Sequence, residues 1–472
     1  MPIVPLSLGT GSNRARFGHA GACRHINCYA EQQSEDAKAP LMLVAHDGLT
    51  DFATLASAGV RGMIEVGAYA WTISGRQAFR VDQGGGVTSI GGIPTDGPVY
   101  MVRNRRVVPQ VAIQSSGLLY VIDTGTSTMT QVTDVDLPPG SSITVLDGYG
   151  IIPVSNGRWF ISGLDDFTTW DALEFGTADS NPDEIVRAAT REGELVLFGE
   201  RSTEWWRDTG DVDFAFAGGR VAIAEIGCLA AGSVATLDRT LIWVAHDGTV
   251  RIMQGYDGQR ISTHEVERAI AAVSPGELTS TSWASRGHQF YALSSNSWTY
   301  VWNKTTGTWS ERKSYGSDRW RGSVVSKLGT QWIVGDATLG KLYRMSPDAT
   351  AEGSDPLVMT VQTPPSHAFP YRASVGRLDI DVIPGVGLNT NSAAELDPEM
   401  MVKWSHNGGQ TWAVERRVRL GRQGESTLRA VLWRLGIIPS TGRTYEFSIS
   451  AAVAKGIVQA GHPDEFVEIL RS

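Results

Sequence analysis

From residue 67 to about residue 345 the chain repeats one unit, a strand, a short polar turn and a second strand, with Gly and Asp between units. The units open at Gly67 (GAYAWTISGRQAFRVD), Val111 (VAIQSSGLLYVIDTG), Tyr149 (YGIIPVSNGRWFISG), Gly193 (GELVLFGERSTEWWRD), Arg239 (RTLIWVAHDGTVRIMQG), His288 (HQFYALSSNSWTYVWNK) and Thr330 (TQWIVGDATLGKLYRM), at spacings of 44, 38, 44, 46, 49 and 42 residues. A period in the forties, built from β-branched and aromatic residues around turn residues, is the signature of four-stranded propeller blades, each of which cannot bury its two faces alone. The expectation is an all-β chain: a β-propeller of about six or seven blades followed by a smaller antiparallel β domain.

Composition shifts set the expected boundaries. Residues 1–40 read as an N-terminal strand or arm and 41–345 as the propeller. Residues 346–367, rich in Pro, Ser and Asp, read as a linker; 368–455, with alternating strands such as RLDIDVIPGVG and TYEFSIS, as the C-terminal antiparallel domain; and 456–472 as a tail. Helix is scarce. The clearest case is STHEVERAIAAV, where Ser262 and Glu265 have capping-box spacing, Val266, Ile270 and Val273 share a face, and His264 reads as a surface residue of the first turn. The phrase Val-Ala-His-Asp-Gly occurs twice, in LMLVAHDGLT at Leu41 and LIWVAHDGTV at Leu241, and in both places reads as a strand entering a hairpin turn.

The charge balance narrows the function. A net charge of −9, with 19% charged residues, argues against a general nucleic-acid binder, which needs positive charge to release counterions from phosphate. Three cysteines, Cys23, Cys28 and Cys228, cannot staple a chain of 472 residues, which points to a reducing compartment. No apolar run approaches the roughly 20 residues that span a bilayer, and no secretory leader pattern opens the chain, so the expectation is a soluble protein without a membrane.

Candidate chemistry is sparse. His19, Cys23, His25 and Cys28 supply zinc ligand types, but their spacing fits no standard finger and RHINCYAEQ reads as an ordinary strand. Asp165, Asp166, Asp171, Glu174, Asp179, Asp183, Glu184 and Glu192 concentrate carboxylates that could serve a glycosidase or hold calcium, yet most stand in turn contexts where charges are solvated. SHNGGQTW, Ser405 to Trp412, departs from one Asp-box of sialidase propellers only at Asn407. A sialidase also needs an arginine triad and a nucleophilic tyrosine with its acid partner, and usually several boxes within the propeller. The single box here lies beyond it and reads as a stable hairpin turn in which Asn407 bonds back to the backbone and Trp412 covers it. No catalytic, cofactor or metal site is expected. Between Lys403 and Arg443 eight basic residues face two acidic ones, and Arg416, Arg417, Arg419, Arg422, Arg429 and Arg434 are the candidate partner-interface residues, as a basic strand face meeting an acidic surface.

The run FISGLDDFTTWDALEFGTADSNPDEIV, then GELVLFGERSTEWW, EIGCLAAGSVATLDRTLIWVAHDG and GYDGQRISTHEVE, resembles the packaged-DNA stabilisation proteins of short-tailed bacteriophages, the tail accessory or hub family. INCYAEQ and GVRGMIEVGAYAWTISG are similar to that family's opening strands, and WSHNGGQTW, LGRQGE and YEFSIS to its closing domain. The resemblance implies a virion protein without catalysis or cofactor. It implies a ring of six copies beneath the portal and adaptor, closing the DNA channel after packaging and carrying the tail needle and tail fibres or spikes, with the host cytoplasm as the place of assembly. The acidic charge suits a plug that repels DNA, and the fifteen tryptophans supply apolar area for blade cores and interfaces. The competing expectation is a glycan-binding or glycan-cleaving, sialidase-like propeller.

Overall fold

A computed structural model of the chain describes residues 3–463 and 467–470. Of the segment read as a tail, residues 464–466 and 471–472 lie outside the described residues. Seven sheets are arranged as blades. The first five hold four strands each, in chain order: Val60–Val66 to Val87–Gly92, Val99–Arg103 to Thr128–Gln131, Thr144–Leu146 to Asp166–Thr177, Ile185–Arg191 to Arg220–Ala224, and Ala235–Leu237 to Asp257–Arg260. The sixth runs from Thr279–Ser285 to Thr308–Glu311, and the seventh contributes Gly322–Leu328, Gln331–Asp336 and Lys341–Ser346. The first strand of the seventh blade lies against the first strand of the first, which closes the ring.

The repeat was legible because of where the apolar residues go. Each sequence unit is the second and third strand of a blade, and these strands are covered by neighbouring blades on both faces, so they read as nearly continuous apolar runs. In the third blade Ile151, Ile152, Trp159, Phe160 and Ile161 are all buried in succession, whereas the outer strand of the second blade, Thr128–Gln131, is mostly exposed.

The seventh blade is completed by the beginning of the chain. Gly48–Thr54 pairs antiparallel with Lys341–Ser346 as its fourth strand, from Gly48 opposite Ser346 to Thr54 opposite Lys341. Joining the two ends in one sheet is the closure a ring needs to remove its edge.

Residues on either side of the propeller build a single β-sandwich. One sheet holds Cys28–Gln32, Leu41–Ala45, Gly456–Pro463, Arg372–Val382 and Ala430–Ile438, with Ile3–Leu6 on Gly456–Pro463 and Val467–Leu470 on Arg372–Val382. The other continues the sixth blade outward: Thr308–Glu311 bridges to Ala22–Ile26, followed by Met359–Gln362, Thr444–Ile449, Glu399–Ser405 and Arg416–Arg419. The two share one core, in which Cys28, Ala30 and Leu43 from the start of the chain meet Leu378, Val402 and Phe447 from its end. The stretch 346–367 contributes short strands: Ala351–Glu352 and Asp355–Pro356 lie on the seventh blade and Met359–Gln362 in the sandwich.

Two local expectations are corrected. The first Val-Ala-His-Asp-Gly is not a hairpin: His46 and Asp47 are buried in a crossover from the sandwich to the seventh blade. Gly48 is required there by close approach, since a Cβ would stand 2.4 Å from the Ala349 carbonyl and 2.5 Å from that of Ala351. The second copy is the expected turn, with Asp247 accepting from the Thr249 amide at 2.9 Å. The capping box is also absent. The helix spans His264–Ala271 with Thr263 at its N-cap, and Ser262 bonds to Glu267. Glu265 instead points inward, where the Arg14 amide and Nε each donate to it at 2.6 Å and the Tyr300 hydroxyl at 3.1 Å. Val266 and Ile270 are buried as expected, and His264 is exposed.

Lys455 is an uncompensated group at the joint between sandwich and propeller. It is 5% exposed, its Nζ donates to the Thr350 carbonyl at 3.0 Å, and burial holds its pKa down to about 8 from 10.5. Between those values the unfolded chain keeps a proton that the folded one has released, so stability rises with pH through that window and the full penalty is present below it. A shift of that size is worth about 3 kcal/mol. Lys455→Met is expected to raise stability at pH 7 by about 1–2 kcal/mol after loss of the Thr350 bond, and to flatten the rise between pH 8 and 10. Urea midpoints at the two pH values measure both; a destabilised variant with an unchanged pH profile would sink the idea.

Candidate functional site

The six basic candidates are placed on the sandwich. Arg416–Arg419 is the edge strand beside Glu399–Ser405, so alternation turns successive side chains to opposite faces. Arg416 donates to the carbonyls of Trp433 and Arg434, with its guanidinium 5.2 Å from the Trp404 ring. Arg417 lies between Glu399 and Glu415 at 3.5 and 3.3 Å. Arg419 pairs with Asp397 and Glu425, both at 2.9 Å, and Arg422 with Asp397 at 3.4 Å. Arg429 stands 3.9 Å from Asp379 and remains largely exposed. Arg434, at a positive φ of 60°, makes no ion pair among the described residues. The basic excess of this segment is therefore offset in part by Asp379, Asp397 and Glu399, which lie outside the window that showed it. Of the six, only Arg419 and Arg422 share an acid, Asp397.

The Asp-box turn is a structural clamp. Asn407 Oδ1 accepts from the Ser405 hydroxyl at 2.8 Å and the Thr411 amide at 2.9 Å. Gly408, at φ 67°, packs on Gly18 of the N-terminal segment so closely that a Cβ would come within 2.4 Å of the Gly18 backbone. Trp412 is met by Lys403, whose Nζ lies 5.0 Å from the ring centroid. The turn holds the two chain ends together.

The other candidates do not assemble. Asp166 caps its own turn through Thr168, Asp171 accepts from the Leu173 amide, Asp183 accepts from the amides of Arg201 and Ser202, and Asp179 pairs with Arg220. His19 is exposed, whereas Cys23, His25 and Cys28 are buried. Cys23 Sγ lies 4.0 Å from His25 Nε2, but that nitrogen is 2.9 Å from the Leu8 carbonyl and Cys28 points to Thr360. Burial pushes the Cys23 thiol up to about 12. No cluster of three or more metal-ligating groups occurs among the described residues.

What the sequence did not reveal is the chemistry of the axis. Arg61 and Arg187, on the inner strands of the first and fourth blades, and Arg319, on the connection from the sixth to the seventh, line one cavity at the end where the inner strands begin. Tyr100 lies there beneath Arg187, 3.7 Å from ring centroid to guanidinium carbon. Burial raises the Tyr100 phenol, which disfavours the phenolate a nucleophile would need. The arginines are separated by more than a hundred residues, so no local pattern announces that they meet. A second unforeseen feature is the loop between the first two strands of the second blade, where Arg105 and Arg106 precede the exposed Val107 and Val108.

Among the described residues no helix is long and apolar enough to cross a membrane. A family model described as "Phage_stabilise: Bacteriophage P22 Gp10, beta-propeller" matches residues 7–350. No curated protein matches the chain in sequence. Solved structures with related shape include the Cps50 (Swd1) β-propeller domain of Myceliophteria thermophila, 11% identical over 63% of this chain and 99% of that one, at a TM-score of 0.43. The computationally designed protein Ika8 is 11% identical over 63% of this chain and 99% of its own, at 0.37. PorZ, a surface component of the type-IX secretion system of Porphyromonas gingivalis, is 12% identical over 77% of this chain at 0.41, and the chain spans 46% of its length. Scores this low leave the blade count to the strands themselves.

Proposed function

Because the chain belongs to the phage stabilisation family described by the β-propeller of bacteriophage P22 Gp10, and is thus a structural protein of the virion, we propose that it is a tail hub. On this reading several copies, six in the simplest case, form a ring below the portal and adaptor, close the DNA channel after packaging, and carry needle and fibres or spikes. Assembly takes place in the host cytoplasm.

The observation that carries the reading is the family match over residues 7–350, which spans the whole seven-bladed ring and its closing strand, from Gly48 to Ser346. Two features support it. A propeller whose first and last strands share one blade, and whose two ends share one sandwich core, resists unravelling from a terminus, which suits a plug under load. The net charge of −9 opposes gripping of DNA. Of the three basic candidates without a close carboxylate, Arg416, Arg429 and Arg434, the two exposed ones, Arg429 and Arg434, are proposed as contacts to an acidic partner.

Native mass spectrometry of the protein alone, and after mixing with portal–adaptor complex or with emptied tail-less particles, tests this. Stoichiometric binding of several copies to the particle, with none to DNA, is the expected result. Arg429→Glu with Arg434→Glu is expected to weaken that binding about tenfold or more while leaving stability within about 0.5 kcal/mol. A protein that stays monomeric and ignores the particles would overturn the hub reading.

A further inference from the structure

The axial cavity noted above has a volume of about 660 Å³, a size that suits a small ligand. It is bounded by the inner strands of the first, second, fourth and seventh blades and by the segments leading into the fifth and sixth. Three cations and one carboxylate face it.

Each arginine is held by neutral groups. Arg61 donates from Nε to the Gly75 carbonyl at 2.8 Å and from Nη1 to that of Gly97 at 2.6 Å. Arg319 donates from Nε to the Trp320 carbonyl at 2.9 Å and from Nη2 to that of Gly322 at 3.4 Å. Arg187 rests flat on Tyr100. Arg61 Nη2 and Arg187 Nε are buried with no hydrogen-bond partner. The lone carboxylate, Asp96, is taken by the guanidinium of Arg76, through both Nε and Nη2. Carbonyls and a ring face orient a guanidinium without cancelling its charge, so three guanidinium groups line the one cavity. Burial lowers the pKa of all three arginines, opposed at Arg61 by Asp96 and at Arg319 by Asp336, whereas Arg187 has no carboxylate opposing the shift. A buried donor left unpaired is costly, and a fork of N–H groups matches the planar or tetrahedral oxygens of an oxyanion. Val60, Met101 and Leu278 give the remaining wall an apolar character.

We propose that this cavity is a binding site for a small organic oxyanion, a carboxylate or phosphate group on a compact, partly apolar body, held by Arg61, Arg187 and Arg319 with Tyr100 as the platform beneath Arg187. The site goes beyond the hub role and stands whether or not that role holds.

Inorganic phosphate and N-acetylneuraminate, titrated separately into the full-length protein by calorimetry and followed by thermal shift, distinguish the two head groups. Binding of either or both at one site per chain, weakened about tenfold or more in Arg187→Met, is the expected result; phosphate alone assigns a phosphate ester and neuraminate alone a carboxylate. Should Arg187→Met fail to fold, Arg319→Gln gives the same test with a smaller change of shape. No heat and no thermal shift from either anion up to about 10 mM, or binding that is unchanged in these variants, overturns the proposal.

Discussion

Replacing Glu352 with alanine is expected to lower stability by about 3–5 kcal/mol, the effect of removing one partner of a buried ion network. Glu352 is 1% exposed and lies where the seventh blade, the sixth blade and the chain start converge, its own strand running parallel to Leu49. Its carboxylate accepts from Trp320 Nε1 at 3.0 Å and from the Ser314 hydroxyl, and stands 3.3 Å from Arg321 and 3.8 Å from Arg312. Arg312 is wholly buried, with Nη2 donating to the Asp47 carbonyl at 2.8 Å, its guanidinium 4.0 Å from the Trp320 ring, and Nε and Nη1 unpartnered. Burial lowers its pKa, with Glu352 and Asp47 opposing that shift, so losing the carboxylate leaves a cation the interior cannot neutralise. Glu352→Gln keeps an acceptor and removes the charge, and should fall between wild type and alanine. Urea unfolding followed by tryptophan fluorescence decides it: an alanine variant within about 1 kcal/mol of wild type would show that the network contributes specificity and little stability.

Trp243→Ala is expected to cost a similar 3–5 kcal/mol by a different route, the cavity left in a packed interface between blades. Trp243 sits in Thr240–Val244 of the fifth blade, 1% exposed, its ring centroid 5.2 Å from that of Phe198 in the fourth. Val196, Trp205, Cys228 and Met253 complete the cluster, Nε1 donates to the Gly227 carbonyl at 3.2 Å, and Gly258 lies so near that a Cβ would stand 2.8 Å from the ring. The neighbours are fixed in two sheets and cannot collapse into the space, which places the loss at the upper end for such truncations. Val212→Ala, at a fully exposed side chain of the fourth blade, is the control and should change stability by less than about 0.5 kcal/mol. Equal midpoints for the two variants would mean that the blades do not share a rigid interface.

The limits of the sequence show in particular residues. Seven repeat units were visible because Trp71, Ile113, Ile152, Val196, Trp243, Ala292 and Val334 each lie in a strand covered on both faces by neighbouring blades, and that burial writes a largely apolar run into strands of five to seven residues. The outer strands carry less of that signal, so Gly48–Thr54 gave no hint that it completes the seventh blade. Glu265 had the spacing of a cap and proved to be the acceptor for Arg14, some 250 residues away in the chain, because a charge-assisted pair with a guanidinium, together with the Arg14 amide, outcompetes a local amide for its buried oxygens. The basic face looked unbalanced because its acids, Asp379, Asp397 and Glu399, enter from other strands.

The sequence by itself determined the all-β class, the radial repeat with its number of blades to within one, and a second β module after the ring. These follow from periodicity, which each segment carries alone. Only the tertiary structure decided where the two ends of the chain go, why one Val-Ala-His-Asp-Gly is a turn and the other a buried crossover, and that Arg61, Arg187 and Arg319 share a cavity. Each depends on pairing between segments far apart in sequence, where closing the ring fixes which groups become neighbours and what charge they must bear together.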